Sequence, residues 1–255
     1  MCLILFSYDQ HPKYQLILAA NRDEFLERPT APAASWDEHP GLIAGRDLKA
    51  GGTWMGITAD LRFAAITNYR DPASEKKDAP SRGHLVSDYL KGKMHPEAYL
   101  QALDKRAAEY NGYNLLLGSG SDLWYYSNKE NLVKKVRPGI HGLSNHLMNT
   151  PWPKVERGKL GLQNATAGEH ISSDALIALL KDPQTAPDEA LPSTGVPLEW
   201  ERMLSPMFIQ APHYGTRAST VMLIDRAGRV TFVEQTIGQG NNPDKQVTHS
   251  FVSHS

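Results

Sequence analysis

The sequence predicts an α+β fold built on antiparallel sheets. Apolar runs of strand length come in pairs, and the segments joining each pair are too short for a parallel crossover. Helical patterns stand in blocks between the strand blocks and do not alternate with single strands.

Cys2–Ser7 and Tyr14–Ala20 make the first pair, with Pro12 and polar neighbours as the turn. Phe25–Asp37 contains Pro29 and Pro32 and reads as an extended surface loop. Thr53–Thr58 and Arg62–Thr67 make the second pair across Ala59-Asp60-Leu61. Ser81 can cap a helix bearing Leu85, Val86, Tyr89 and Leu90 at helical spacing. A second helix starts near Pro96 and carries Tyr99, Leu100, Leu103 and Ala107. Strands return at Tyr113–Leu117 and Leu123–Ser127, and helices are expected over Pro153–Leu162, Ser173–Leu180 and Leu198–Leu204. The last hairpin, Ser219–Ile224 with Val230–Gln235, turns on Asp225-Arg-Ala-Gly228. The Pro-rich stretch Asp182–Pro197 is a loop and not a domain linker, because the residues beyond Pro197 are too few to fold alone. Residues 1–240 therefore read as one domain and 241–255 as a polar, flexible tail.

Composition narrows the function. The 255 residues suffice to bury a core unaided, and 40% apolar with 22% charged is an ordinary globular mixture. A net charge of −1 with no basic block gives little grip on nucleic acid or an acidic membrane surface. One cysteine excludes an internal disulfide and multi-cysteine metal sites. No apolar run spans a membrane, and Leu3–Phe6 is too short for a secretion signal, so reducing cytosol is the expected compartment. His141 and His146 lack a zinc spacing, and Gly51-Gly-Thr-Trp-Met-Gly56 lacks the Gly-Lys-Ser/Thr of a phosphate loop. Neither a metal nor a required cofactor is expected. An enzyme or a small-molecule binder is left.

Cys2 is the most informative residue. An initiator methionine is removed when the next side chain is small, and the product would carry a thiol and a free α-amine on one residue. That amine titrates at about 7.7–8.0, so it can take the thiol proton near neutral pH. The plainer alternatives are a small apolar residue opening a buried strand or an acylated membrane tether. Asn21-Arg-Asp-Glu24 comes directly after the second strand. In a hairpin this tetrad returns to the neighbourhood of Cys2, where an acid could hold the amine by a charge-assisted bond. Alternation puts Asn21 and Asp23 on one face and Arg22 and Glu24 on the other. Asn68 ends a strand, Asn145 lies in Gly142-Leu-Ser-Asn145, and Arg217 lies in Tyr214-Gly-Thr-Arg217. Asparagine amides can donate to an oxyanion, and arginine can depress a thiol pKa or bind a carboxylate. Each of the three also has an ordinary use at a turn or strand end.

These blocks resemble the NRDE family, whose best-known members are called transport and Golgi organisation protein 2. The resemblance runs in order through Asn21-Arg-Asp-Glu24, Ala44-Gly-Arg-Asp47, Gly51-Gly-Thr-Trp-Met-Gly56 and Thr67-Asn-Tyr-Arg70. It continues through Gly142-Leu-Ser-Asn145, Thr150-Pro-Trp-Pro-Lys154 and Tyr214-Gly-Thr-Arg217. It implies an N-terminal-nucleophile hydrolase fold: a four-layer αββα sandwich of two antiparallel sheets. Within that superfamily it is most similar to cysteine-nucleophile amidases of bile salts and penicillin V. By that similarity Cys2 is the nucleophile and Asp23 orients its amine. Asn68 and Asn145 surround the oxyanion, and Arg217 stands beside the thiol. Asn21, Arg22 and Trp54 are candidate substrate contacts. One position departs: those amidases carry an arginine three residues before the acid, and here that residue is Ala20. On a regular strand Arg22 points away from Asp23, so either a bulge turns it inward or the role is lost.

Two functions are therefore expected. One is hydrolysis of an amide or thioester. The other, from the family's link to intracellular haem trafficking and acyl metabolism, is non-catalytic carriage of haem or another amphipathic ligand.

Overall fold

In the computed structural model, which describes residues 2–240 and 242–253, the first apolar pair forms the expected hairpin. β1 (Cys2–Tyr8) and β2 (Tyr14–Phe25) pair antiparallel from Cys2↔Arg22 to Tyr8↔Leu16. His11 shapes the turn: its Nδ1 accepts the Lys13 and Tyr14 main-chain N–H groups at 3.1 and 3.3 Å.

The next strands are β3 (Thr30–Trp36), β4 (His39–Asp47), β5 (Met55–Thr58) and β6 (Arg62–Asn68). After α1 (Gly83–Lys91) and α2 (Pro96–Asp104) come β7 (Tyr113–Ser119), β8 (Asp122–Ser127) and β9 (Leu132–Lys135). All seven strands lie in sequence order in one antiparallel sheet. The loop expected over Phe25–Asp37 is corrected here, since Thr30–Trp36 is an edge strand. Its register slips between Ala31 and Ala34, where Pro32 sits. An edge with a bulge is where a strand tolerates proline. Ser81 does not cap α1 through its hydroxyl. Arg82 occupies the cap position, and Ser81 contributes its main-chain carbonyl to His84 N–H. Leu85, Val86, Tyr89, Leu100 and Leu103 of the helices pack on Ala64, Ile66, Leu115 and Leu117 of the sheet.

The chain then forms β10 (Gly139–Leu143), α3 (Pro153–Ala165), α4 (Ser173–Leu180), α5 (Leu198–Met203), β11 (Tyr214–Asp225), β12 (Arg229–Thr236) and β13 (Lys245–Val252). With β1 and β2 these strands make a second sheet in the order β10-β1-β2-β11-β12-β13. Ser172 caps α4 by accepting Ala175 N–H. Asp225 closes the β11–β12 turn by accepting the Ala227 and Arg229 N–H groups. Val155, Leu162, Leu176, Ile177 and Leu180 cover Leu3, Leu5, Ile17, Ala19, Val221 and Leu223, so α3 and α4 lie on the face that carries the odd-numbered residues of β1 and β2. β13 lies in the stretch read as a flexible tail. Its alternation of half-buried and exposed residues fits a sheet edge, although it lacks the apolar run that marks the other strands.

The described residues divide into two units. The six-stranded unit comprises 2–27, 138–144, 148–240 and 242–250, and the seven-stranded unit 28–137, 145–147 and 251–253. The chain passes between them repeatedly, so no linker marks a boundary. No helix among the described residues is long and apolar enough to cross a membrane.

Candidate active site

The hairpin register decides which side chains meet. Cys2 lies directly opposite Arg22, so the two share one face of the six-stranded sheet. Leu3, Asn21 and Asp23 project from the other face, towards α3 and α4. The question raised by Ala20 is thereby answered in part. Position 20 lies opposite Ile4, on the same face as Arg22 and Cys2. An arginine two residues along therefore reaches the same face, one pleat away. Arg22 does point away from Asp23, and no bulge in β2 is needed. The bulge is on the partner strand: β11 pairs Thr216 with Asp23 and Ala218 with Arg22, leaving Arg217 as the extra residue.

Asp23 is only 1% exposed. Its Oδ1 accepts the Thr216 hydroxyl at 2.7 Å, and its carbonyl accepts the Tyr214 hydroxyl at 3.0 Å. The Thr216 oxygen already accepts Ile209 N–H at 3.0 Å, which leaves its proton for the carboxylate. Gly215 permits this arrangement, because a Cβ there would meet the Ile209 carbonyl oxygen at 2.7 Å. Burial pushes the Asp23 carboxyl above the usual range, against the Lys154 ammonium and the Thr216 bond, which pull it down. The half-buried Cys2 thiol is also raised by burial, and by the Asp23 charge. The Arg22 charge and the Asp23 main-chain N–H oppose that rise. Burial lowers Arg217, as does repulsion from Arg22, while Glu24 works the other way. Its Nη1 donates to the Phe25 carbonyl at 2.8 Å. The Ser144 hydroxyl donates to the Cys2 carbonyl at 3.3 Å. Removal of Met1 concerns a residue outside the described ones.

Cys2, Arg22, Asp23 and Arg217 thus come together in the six-stranded unit. Asn21 has a different task. Its Nδ2 donates to the Leu180 and Met207 carbonyls at 2.9 and 2.8 Å, and its Oδ1 accepts the Ser219 hydroxyl at 2.6 Å. With both amide protons committed on the helix-covered face, Asn21 ties this unit together and is not placed as a substrate contact. Asn68 and Asn145 are neighbours in the seven-stranded unit, where Asn145 Nδ2 donates to the Asn68 carbonyl at 2.9 Å. Trp54 lies in the same unit with its indole over Gly45, which leaves no room for a Cβ there. Lys154 and Thr216 act on Asp23, although their residue types and spacing mark neither as a site residue. Their one signal in the sequence is membership of the Thr150–Lys154 and Tyr214–Arg217 motifs.

Among the described residues no group of three or more His, Cys, Asp or Glu is placed to hold a metal. A cavity of about 850 Å³ lies at the opposite end of β1 from Cys2, lined by Ser7, Gln10, His11, Lys13, Gln163 and Glu169 among others. It is separate from the cysteine.

Comparisons with known proteins bear on the family and the fold. The family model Transport and Golgi organisation 2 matches residues 1–239. The chain is 36% identical over 274 residues to the Transport and Golgi organization protein 2 homolog of Bos taurus, covering 98% of this chain and 99% of that one. It is 31% identical to Transport and Golgi organization protein 2 of Drosophila melanogaster, covering 93% and 92%. Among solved structures, the C2A mutant of conjugated bile acid hydrolase from Clostridium perfringens matches with a TM-score of 0.53 at 8% identity, covering 98% of this chain and 96% of that one. The fold is therefore that of the N-terminal-nucleophile hydrolases.

Proposed function

The chain belongs to the Transport and Golgi organisation 2 family, and from that premise we propose that it is a cysteine-nucleophile hydrolase of amide or thioester bonds. The observation that carries this reading is the hairpin register. It sets Cys2 opposite Arg22, with Asp23 one residue further on and its main-chain N–H against the thiol.

In the proposed reaction Met1 is removed, and the freed α-amine of Cys2 accepts the thiol proton. The thiolate attacks the substrate carbonyl carbon. The C–N or C–S bond then breaks, and the α-ammonium returns its proton to the leaving amine or thiolate. Water then attacks the resulting thioester: its oxygen joins the acyl carbon, the bond from that carbon to the Cys2 sulfur breaks, and the water's proton passes through the amine to the sulfur. Burial of the thiol makes that base necessary, because it disfavours the thiolate.

Intact-mass measurement of untagged protein, before and after exposure to nitrophenyl esters, anilides and acyl thioesters, tests the reading. Loss of one methionine and an acyl adduct on Cys2, absent in Cys2→Ala, are the expected results. A retained Met1, or no adduct from any donor in wild type and Asp23→Asn, overturns it. Saturable haem binding that survives Cys2→Ala in protein forming no adduct would favour carriage of an amphipathic ligand instead.

A further inference from the structure

Lys154 occupies a position unfavourable for a lysine on two counts. It is the second residue of α3, where the helix dipole repels a cation. It is also only 2% exposed, so its ammonium has given up most of its water. Its Nζ donates to the Leu204 carbonyl at 2.9 Å, a neutral acceptor. At the far end of the same segment, Ile209 N–H donates to the Thr216 oxygen, whose proton goes to Asp23. Lys154 and Thr216 thus grip the two ends of Leu204–Ile209, and both act on one carboxyl group. Of the charges that act on Asp23, that of Lys154 is the strongest.

We propose that Lys154 is the counter-ion that keeps the buried Asp23 carboxyl ionised and in place, and so positions the acid that holds the Cys2 α-amine. Among the described residues, the groups acting on Asp23 include Lys154 from α3, Cys2 from β1, Arg22 from β2, and the Thr216 and Tyr214 hydroxyls from β11. Only Lys154 among them combines a full charge with burial on the face that Asp23 occupies. The role rests on the reading of Cys2 as an N-terminal nucleophile, yet it can be measured without any hydrolysis.

Carbon-detected NMR titration of the side-chain carboxyls in the full chain, with Asp23 assigned by D23N, reads it directly. K154M is expected to raise the Asp23 midpoint by about one pH unit or more, and K154R to leave it within a fraction of a unit. In urea melts K154M should cost stability in wild type and little or none in D23N, where the charge it serves is gone. If K154M alone fails to fold, recovery of folding in the D23N/K154M double variant gives the same answer. An unmoved midpoint in K154M, or an equal loss of stability in both backgrounds, overturns the proposal. A shifted midpoint in protein that forms no acyl adduct would retire the hydrolase and keep the ion pair. Adduct formation with an unmoved midpoint would do the reverse.

Discussion

Asp47 in the seven-stranded unit and Asp23 in the six-stranded unit are both buried, at 8% and 1% exposure, yet their carboxyl groups move in opposite directions. Burial would raise both. At Asp47 it is outweighed, because Arg28 donates to Oδ2 from Nε and Nη2 at 3.2 and 2.6 Å and Lys49 N–H donates to Oδ1 at 3.0 Å. That carboxylate is held below its usual range while the Asp47 main chain closes the turn back to Gly51 and Gly52. At Asp23 the Thr216 hydroxyl and the charges of Lys154 and Arg22, among others, lower the carboxyl without offsetting burial. A carboxylate saturated with donors is fixed in one state and serves structure. One that burial raises in spite of its partners stays closer to a change of protonation state.

The largest effect should come from removing the responsive charge. Asp23→Asn is expected to slow acylation of Cys2 by about 100-fold, whereas Asp47→Ala leaves the rate per folded molecule unchanged. Rapid-quench mass measurement of adduct formation reads both, and equal rates for the two variants would erase the distinction. Next in size is stability. Asp47→Ala removes the Arg28 and Lys49 bonds to the carboxylate and should lower the unfolding free energy by about 2 kcal/mol in urea melts. A variant as stable as wild type would show that the saturated carboxylate is not structural.

The smallest effect is one of sign. Asp47 is more acidic folded than unfolded, so its stabilisation is complete above the unfolded value of about 3.9 and fades as pH falls through the lower folded one. Asp23 is less acidic folded than unfolded. Its ionised form therefore weighs against folding above the folded value, and that cost fades as pH falls towards about 3.9. Melts of the two variants against wild type from pH 3 to pH 7 should slope in opposite directions, and parallel slopes would sink the comparison.

Much of this layout was legible in the sequence because it is local. Short joints between apolar runs announced the hairpins β1–β2, β5–β6 and β11–β12, and hairpin geometry alone returned Asn21-Arg-Asp-Glu24 to Cys2. What stayed hidden depends on partners far along the chain. The edge strands β3 and β13 carry a proline or polar residues where central strands carry valine and leucine, so propensity had nothing to report. Asn21 looked like a ligand because its bonds go to Leu180 and Met207, more than 150 residues away. Thr216 and Lys154 were recognisable only as members of blocks. Their contacts with Asp23 and Leu204 have no spacing to betray them.

The interleaving of the two units also bears on how the molecule is made. Every strand of the seven-stranded sheet pairs with its neighbour in sequence, so that sheet can close while residues 28–137 are leaving the ribosome. β2 has no such luxury. One edge pairs with β1 at once, but the other waits for β11, nearly 190 residues later. Until then the strand that carries Arg22 and Asp23 presents an open, apolar edge, the kind of surface that chaperones shield and aggregates exploit. A chain truncated before Tyr214 would expose that edge permanently, so the last sixth of the chain guards the hairpin that carries Cys2 as well as supplying Thr216 and Arg217 beside it.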